Sequence, residues 1–572
     1  MRARPIQTDT AESFGPRLDR RDFFKWTGAA GLAAAAPAAA FGAPVGAPLT
    51  ARQRAARFLA QCTFGGDLAL IDQVAATGLE AWLDAQLALP PSLVLPQVEM
   101  AFEADPEYDD QFAYCDWAWW ENALTAPDIV RHRLVYTLSQ IFVISRNEET
   151  LFDSAFAVGA YHDVLARHVF GNFRDLLLAV ALQPSMGVYL SHLNNRRSDP
   201  SINRFPDENF ARELMQLFSI GLYLLNSDGT RKLDAQGQPI PTYGNAEITE
   251  MAKIFTGLTL VPEGDLPVEF GMRWDTLHVP MMMYEPEHEP GPKTLLGGFV
   301  VPDGQTGMQD ITMAIDHLAQ HPNVGPFIGT HFIKFLVTSN PSPAYVARVA
   351  AAFDDNGSGV RGDLKAVWKA VLLDPEARGE ANLSDPHFGK VREPFVRWMQ
   401  LGRAFHATSA SGRFRHFGGA VPGDDEDTRE TNFMAQYPFF SPSVFNFFSP
   451  THQPAGALTQ AGLVAPEMEI IHAYTSIAMI NAMDRAVLEE EYISDLWDFP
   501  VWLDLDQEIE LVETGGPVAL VDHLELLLTH GTLSAGTRQI VINAILPIAE
   551  PFDQVTLAVY LMAISPEAAV QR

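Results

Sequence analysis

The sequence predicts an all-α fold with one large multi-helix domain, one small β-hairpin excursion and a C-terminal helical unit. Apolar residues recur at helical spacing over most of the chain after residue 50, and a strand-like pattern is confined to 222–243. Hydrophobic residues make up 47% and charged residues 19%, which is typical of a globular protein. At 572 residues the chain exceeds the usual size of one core, so more than one unit is expected.

The first forty residues have the pattern of a twin-arginine signal peptide. Arg20 and Arg21 precede Asp-Phe-Phe-Lys, an Ala/Gly-rich apolar stretch follows, and residues 38–40 offer a small-residue cleavage site. We therefore predict that residues 1–40 are removed after export of the folded chain through the twin-arginine translocase to the periplasm or the extracellular space. No later segment holds about eighteen uninterrupted apolar residues, so no membrane span is expected in the mature protein.

The main helical domain is predicted over residues 50–480 and the C-terminal helical unit over 481–572. Apolar periodicity, together with Pro and Gly at the ends, predicts the order of elements within them. The predicted helical stretches are 51–62, 67–87, 131–144, 156–182, 206–220, 307–373 (interrupted at 354–359), 389–409, 466–490 and 518–565. The hairpin is predicted at 222–243, around the turn Ser227-Asp228-Gly229, and 261–307 is predicted to be a long irregular segment.

Charge and cysteine content exclude several classes of function. The formal net charge is −32, and removal of residues 1–40 takes away six basic and four acidic residues, which leaves −34. Such a surface repels phosphate backbones, so we expect no nucleic acid partner. Cys62 and Cys115 are the two cysteines of the chain, and a Cys-x-x-Cys-His sequence is absent, so no covalent haem is expected. The pair could be reduced and buried or bridged, and the sequence leaves both open.

The segment Pro206-Asp-Glu-Asn-Phe-Ala-Arg-Glu-Leu-Met-Gln-Leu-Phe-Ser-Ile-Gly221 resembles the signature of a large bacterial family, domain of unknown function 1800. Further matching stretches include Phe170 to Leu177, Ser339 to Tyr345 and Ser443 to Phe448, and the similarity covers residues 50–570. The resemblance implies exported, mainly helical proteins with no agreed activity. It also implies a partner, an exported protein of the domain of unknown function 1501 family, whose members are similar to the alkaline phosphatase and sulfatase group.

One departure from the family pattern limits what the resemblance implies. Many relatives read Glu-Leu-His where this chain has Gln216-Leu217-Phe218. A metal-binding or proton-transfer role that depends on that Glu and His is therefore not available here.

The helix predicted from Pro206 carries the first group of candidate catalytic residues. Helical spacing places Asn209, Glu213 and Gln216 on one stripe, and Glu208 and Arg212 are four residues apart, which favours an ion pair. A polar stripe on an apolar helix suits a buried network, a metal or a polar ligand. The alternative is structural: Glu213 pairs with a distant arginine such as Arg174.

The second group lies in the Pro/Gly-rich sequence His288-Glu289-Pro-Gly-Pro-Lys293. A histidine next to a carboxylate and five residues from a lysine is a pattern in which acid and base groups are displayed. Imidazole and carboxylate also bind divalent metals, so Asn209, Glu213, His288 and Glu289 are the metal candidates. The alternative is a solvated loop whose lysine neutralises a neighbouring carboxylate.

Two functional hypotheses follow. In the first, the protein is an accessory or binding protein that works with the phosphatase/sulfatase-like partner on a polymeric or anionic substrate. In the second, it is a hydrolase in which Glu213 is a base or metal ligand, and His288 and Lys293 transfer protons or stabilise charge. The second hypothesis requires these three side chains to share one cleft. Asp354, Asn356, Ser358 and Gly359 also match the start of a calcium loop, but Lys365 occupies its last ligand position, which favours a plain turn.

Overall fold

The computed structural model describes residues 48–105, 113–272, 275–409, 414, 434–488 and 501–572. The predicted signal peptide lies outside this range, and so does almost all of the acidic stretch 410–430. The described residues are mainly helical, with four short antiparallel strand pairs, which confirms the predicted fold class.

The helices follow one another with short connections over most of the chain. In chain order they are α1 (Ala51–Cys62), α2 (Leu68–Thr77), α3 (Leu79–Leu87), α4 (Leu95–Ala104), α5 (Ala113–Thr125), α6 (Ile129–Ser139), α7 (Glu149–Phe152), α8 (Ala155–His168), α9 (Phe173–Ala181), α10 (Pro184–Tyr189), α11 (Asn209–Gln216), α12 (Asn245–Ile254), α13 (Gly307–Ala319), α14 (Val324–Leu336), α15 (Pro343–Asp354), α16 (Leu364–Leu372), α17 (Pro375–Arg378), α18 (Pro394–Ala404), α19 (Ala457–Gln460), α20 (Ala473–Leu488), α21 (Asp506–Leu524), α22 (Ala535–Ile545), α23 (Pro551–Ala563) and α24 (Pro566–Ala569). A π-helical turn, Glu525–Thr529, continues α21. None of these helices has both the length and the apolar character required to cross a bilayer.

Hydroxyl and carboxylate side chains define where many helices begin. The side chains of Thr50 and Thr306 each accept a hydrogen bond from the backbone N–H three residues on. The side chain of the glutamine at that position accepts a hydrogen bond from the backbone N–H of the capping threonine. Ser342 and Ser534 cap α15 and α22 in the same way through their side-chain oxygens. These bonds satisfy backbone donors that would otherwise lack a partner, which fixes the start of each helix at a residue readable from the sequence.

An aromatic cluster joins the N-terminal helices to α18. The rings of Tyr136 and Phe395 stack with centroids 4.6 Å apart, and Trp119 and Trp120 pack edge-on at 5.0 Å. Phe64 contacts Phe395 with centroids 5.9 Å apart. All five rings are buried, and such pairs add about 0.5–1.5 kcal/mol each beyond the burial of apolar area.

The described residues form four short strand pairs. One joins β1 (Leu258–Thr259), just before the segment predicted to be irregular, to β2 (Met282–Met283) inside it, and a local pair, β3 (Lys293–Thr294) with β4 (Val300–Val301), lies wholly inside it. The others join β5 (Lys390–Val391) to β8 (Val570–Gln571), and β6 (Thr408–Ser409) to β7 (Val501–Trp502). The last two pairs attach the C-terminal helices to the rest of the chain. The division into units at residue 480 stays a prediction.

The hairpin excursion at 222–243 is present as three isolated antiparallel bridges rather than as regular strands. Tyr223 pairs with Pro241, Leu225 with Arg231, and Leu233 with Pro239. Gly229 adopts φ 79°, a left-handed conformation that glycine tolerates without cost, at the predicted turn. The excursion connects α11 to α12.

Candidate functional site

The signature helix α11 is shorter than predicted but presents the expected faces. It covers Asn209–Gln216, and the backbone turns out of it through Leu217 to Gly221, whose φ is 71°. Phe210 and Leu214 are buried in the core, and Glu213 is buried with them, with 5% of its surface exposed. Asn209 is exposed, so the polar stripe runs from solvent into the protein interior.

The Glu208–Arg212 ion pair is confirmed, with Nη2 of Arg212 3.2 Å from Oε2 of Glu208. Both side chains are more than a third exposed, so the pair contributes at most about 1 kcal/mol. Oε1 of Glu208 also accepts a hydrogen bond from the Thr249 hydroxyl at 2.7 Å. Glu208 therefore fastens α11 to α12.

Glu213 lacks the arginine partner that the structural alternative predicted. Arg174 pairs with Asp316 at 2.6 Å and with Asp175 at 3.1 Å, so a Glu213–Arg174 pair is wrong. Within the described residues, Oε2 of Glu213 is buried without a hydrogen-bond partner. Burial raises the pKa of Glu213, and the charge of Arg212 offsets this in part.

The Tyr243 phenol senses the Glu213 charge. Burial first, and then the Glu213 carboxylate, raise the pKa of the Tyr243 phenol to about 12. The hydroxyl of Tyr243 is itself buried without a partner among the described residues. Glu213 and Tyr243 therefore interact electrostatically, and each has a buried oxygen without a hydrogen-bond partner among the described residues.

His288 and Lys293 are brought together, and Asp310 joins them in a buried cluster, which we call the His–Lys–Asp cluster. Nζ of Lys293 lies 2.5 Å from Oδ2 of Asp310 and 3.3 Å from Nε2 of His288. Nε2 of His288 is also 3.0 Å from Oδ2 of Asp310. No more than 7% of the surface of any of the three residues is exposed.

The hydrogen-bonding capacity of this cluster is used internally. Lys293 directs its ammonium at the carbonyl of Glu289 (2.6 Å) as well as at Asp310 and His288. Nδ1 of His288 donates to the carbonyl of Thr256 at 2.9 Å, since a carbonyl can only accept. Oδ1 of Asp310 accepts from Nε2 of Gln305 at 3.1 Å. Because these contacts give all three buried groups hydrogen-bond partners, the cluster attaches the loop at 285–294 to the start of α13.

Glu213 and the His–Lys–Asp cluster are separate in their contacts. Helix α12 packs against α11, and it also packs against β3, which carries Lys293, and α13, which carries Asp310. Among the described residues, no hydrogen bond or ion pair joins Glu213 to His288 or Lys293, whose partners are those of the cluster.

The metal candidates are likewise dispersed. Oε2 of Glu289 accepts from the backbone N–H of Ser198 at 2.6 Å, Asn209 lies 3.5 Å from the Ser191 hydroxyl, and His288 belongs to the cluster. Over the described ranges, no group of three or more His, Cys, Asp or Glu side chains is arranged to hold a metal ion. The turn at 354–359 joins α15 to α16, with Oδ1 of Asp355 accepting from two backbone N–H groups and Asp354 paired with Arg361.

An open polar cavity of about 280 Å³ lies before the start of α11, and the sequence patterns did not indicate it. We call it the polar cavity. It is lined by Ser191, Asn194, Asn195, Arg196, Arg204, Phe205 and Asp207. Ser191 and Asn194 have φ of 62° and 60°, a conformation that non-glycine residues rarely adopt and that clusters at functional sites.

Hydrogen bonds hold the wall of the polar cavity in place. The Asn195 amide donates to the backbone carbonyl of Asp207 (3.1 Å) and accepts from its N–H (2.9 Å). Nη1 of Arg196 lies 2.6 Å from Glu287, and its guanidinium stacks on the ring of Phe270 at 4.9 Å. Arg204 donates from Nε to a backbone carbonyl at 3.1 Å and leaves Nη2 3.9 Å from Glu287. The readable signal was three arginines within nine residues of a strongly acidic chain.

The fold is mainly helical, with an open cavity at the start of α11, and sequence comparison gives the family. The family model described as "Protein of unknown function (DUF1800)" matches residues 57–570, so the chain belongs to that family. A twin-arginine translocation signal model matches residues 17–37, which shows that the chain is exported across the cytoplasmic membrane. No curated protein and no solved structure matches the chain.

Proposed function

We propose that the protein is an exported binding protein, with an accessory rather than a catalytic role, and that an anionic group of a polymeric ligand enters the polar cavity. The observation that carries the proposal is the lining of the cavity. Arg196 and Arg204 both reach it, and they share one carboxylate, Glu287, at distances of 2.6 and 3.9 Å. Guanidinium groups bind carboxylate, phosphate and sulfate through paired N–H donors.

The remaining lining supports a ligand that carries both polar and apolar surface. Asn194 and Ser191 offer neutral polar groups at the cavity, and Phe205 is 65% exposed at its edge. An exposed aromatic ring beside polar groups that are held in place is a common arrangement in binding sites. The cavity is open to solvent, as binding to one unit of a long chain requires.

The proposal is tested by measuring binding of a sulfated, a carboxylated and a neutral polysaccharide by titration calorimetry. We expect the charged polymers to bind, the neutral one to bind weakly or not at all, and Arg204→Gln to reduce affinity at least tenfold. Arg52→Gln removes an exposed arginine with an ordinary Asp72 partner and serves as the matched control. Equal binding by both variants, or no binding of either charged polymer by the unmodified chain, contradicts the proposal.

The accessory role includes a partner, an exported protein of the domain of unknown function 1501 family. The support for this part is what the family membership implies, since members of the two exported families are often encoded side by side. Affinity purification of the tagged chain from the periplasmic and extracellular fractions of its own host tests both the partner and the final location. Recovery without such a protein from either fraction contradicts the partnership.

A second candidate function is hydrolysis with Glu213 as the acid or base. The observation in its favour is the buried Glu213 carboxyl: its Oε2 has no hydrogen-bond partner among the described residues, burial raises its pKa, and its charge acts on the Tyr243 phenol. The roles first assigned to His288 and Lys293 fit less well, because these groups are buried and bonded to Asp310. Glu213→Gln should abolish hydrolysis of phosphate or sulfate esters while Arg204→Gln should weaken only substrate binding. Absence of hydrolysis by the unmodified chain contradicts this candidate.

A further inference from the structure

Arg392, just before α18, and Arg397, within it, are held inside the protein, and neither forms an ion pair with a carboxylate in the described part of the chain. Arg392 is 3% exposed, and Arg397 is partly buried. Arginine stays charged at any physiological pH, so both carry a full positive charge. Burial is the largest cause that lowers their pKa values, to about 9 for Arg392 and about 10 for Arg397, and no carboxylate raises either of them.

The partners of these guanidiniums are the carbonyl ends of two helices. Nη1 of Arg392 donates to the carbonyl of Ala568 in α24 at 3.3 Å, and Nη2 of Arg397 donates to that of Ala563, the last residue of α23, at 2.7 Å. The carboxyl end of a helix carries about half a negative charge. Two such ends therefore offset only about half of the two positive charges.

Several N–H groups of the pair remain without acceptors. Nε and Nη2 of Arg392 and Nε of Arg397 are buried, and within the described part of the chain none of them has a hydrogen-bond partner. Each unsatisfied buried donor costs free energy, and more when the group is charged. The two guanidinium groups therefore lack both negative charge and hydrogen-bond acceptors at the same place.

A small cavity is lined by both side chains. Its volume is about 10 Å³, and its lining includes Arg392, Arg397, Gln400 and Leu401, with Met483 and Leu528 as further apolar contacts. A space of this size is close to the smallest that holds one water-sized particle, so a monatomic ion is the only kind of anion small enough to be considered. Larger anions such as phosphate or sulfate do not fit.

We propose that this cavity is a halide site, in which a single chloride ion binds between Arg392 and Arg397 and fastens the C-terminal helices α23 and α24 to α18. Chloride supplies the missing charge and accepts from several N–H donors at once. It also tolerates the apolar contacts of the lining, since it has no hydrogen to donate. Binding is independent of the polar cavity and of any activity there.

Halide binding is tested by thermal unfolding of the mature protein in chloride or bromide, with gluconate as the replacement anion at constant ionic strength. Gluconate is too large for the cavity. Above the dissociation constant we expect the midpoint to rise by about 1 °C for each tenfold increase in halide, from the entropy of unfolding of a chain of this length. Arg397→Gln should remove this dependence.

Arg403→Gln is the matched control. Arg403 donates from Nε to the carbonyl of Gly65 and from Nη1 to the carbonyls of Ala123 and Leu124 at the end of α5, and among the described residues it has no buried nitrogen without a hydrogen-bond partner. This variant should lose stability yet keep the halide dependence. Crystals grown in bromide should show an anomalous scattering peak between Arg392 and Arg397, which keeps the test valid if Arg397→Gln does not fold. A water without anomalous signal at that position, or equal halide dependence of Arg397→Gln and the unmodified chain, overturns the proposal.

Discussion

Replacement of Asp310 by asparagine tests whether the His–Lys–Asp cluster is a structural fastening. Asp310 provides the only carboxylate within 4.0 Å of Lys293 among the described residues, and the Lys293 side chain is 3% exposed. Asparagine keeps the shape and one acceptor but removes the charge. A buried ammonium then stays without a counter-charge, which costs about 3–5 kcal/mol. The loss of a negative charge in the first turn of α13 adds about 0.3–1 kcal/mol.

The assay is urea unfolding followed by tryptophan fluorescence, with Asp316→Asn as the control in the same helix. Asp316 forms an ion pair with Arg174 at 2.6 Å, but its side chain is 54% exposed, so we expect a loss below about 1 kcal/mol. Lys293→Met combined with Asp310→Asn should recover at least about 2 kcal/mol relative to the sum of the single changes, because no charge is left buried alone. A loss below about 1 kcal/mol for Asp310→Asn, or additive single changes, would refute the reasoning.

Three further predictions concern titration and thiol reactivity. Burial lowers the pKa of His192 to about 4, so between pH 6.5 and 4 this histidine is neutral in the folded protein but takes up a proton on unfolding. The free energy of unfolding should therefore fall by at most about 3 kcal/mol over this range because of this residue. His192→Gln should make the free energy of unfolding, measured by urea titration, depend less steeply on pH. Burial raises the pKa of Glu213, so Glu213→Gln should gain stability relative to the unmodified chain at pH 8, with the difference vanishing near pH 4; a constant difference across this range would be inconsistent with the raised pKa. Cys62 and Cys115 are free and buried, and burial raises the pKa of the Cys62 thiol to about 12, so a disulfide-exchange reagent should react with both in urea and with neither in the native protein.

The helical part of the fold could be predicted because its signals are local. The stretch predicted from residue 307 begins where Thr306 caps α13, and the apolar spacing marks the faces, but the break between α14 and α15, at which Ser342 caps the next helix, was not predicted. The short strands could not be predicted. Lys390 pairs with Gln571 across 181 residues, and two-residue strands leave no periodicity to detect.

The candidate site was likewise predictable only where its residues are close in sequence. His288 and Lys293 are five residues apart, so their contact follows from one loop, and the sequence pattern indicated it. Asp310 comes from the next helix and completes the cluster through tertiary contact alone. The polar cavity depends on the left-handed backbone of Ser191 and Asn194, which spacing of residue types does not reveal.

The buried charges of this protein divide into two kinds, and the division bears on where function lies. In the His–Lys–Asp cluster each charge meets its opposite and each N–H an acceptor, so a bound ligand would have to break contacts that already satisfy the groups. Glu213 and the Arg392–Arg397 pair instead keep buried polar atoms without partners among the described residues. Groups left in this state are where a proton, an ion or a ligand can lower the free energy of the folded protein. A sequence pattern that identifies charged residues therefore locates candidates for function. The structure then shows which of these residues still lack a counter-charge or a hydrogen-bond partner, and those remain candidates.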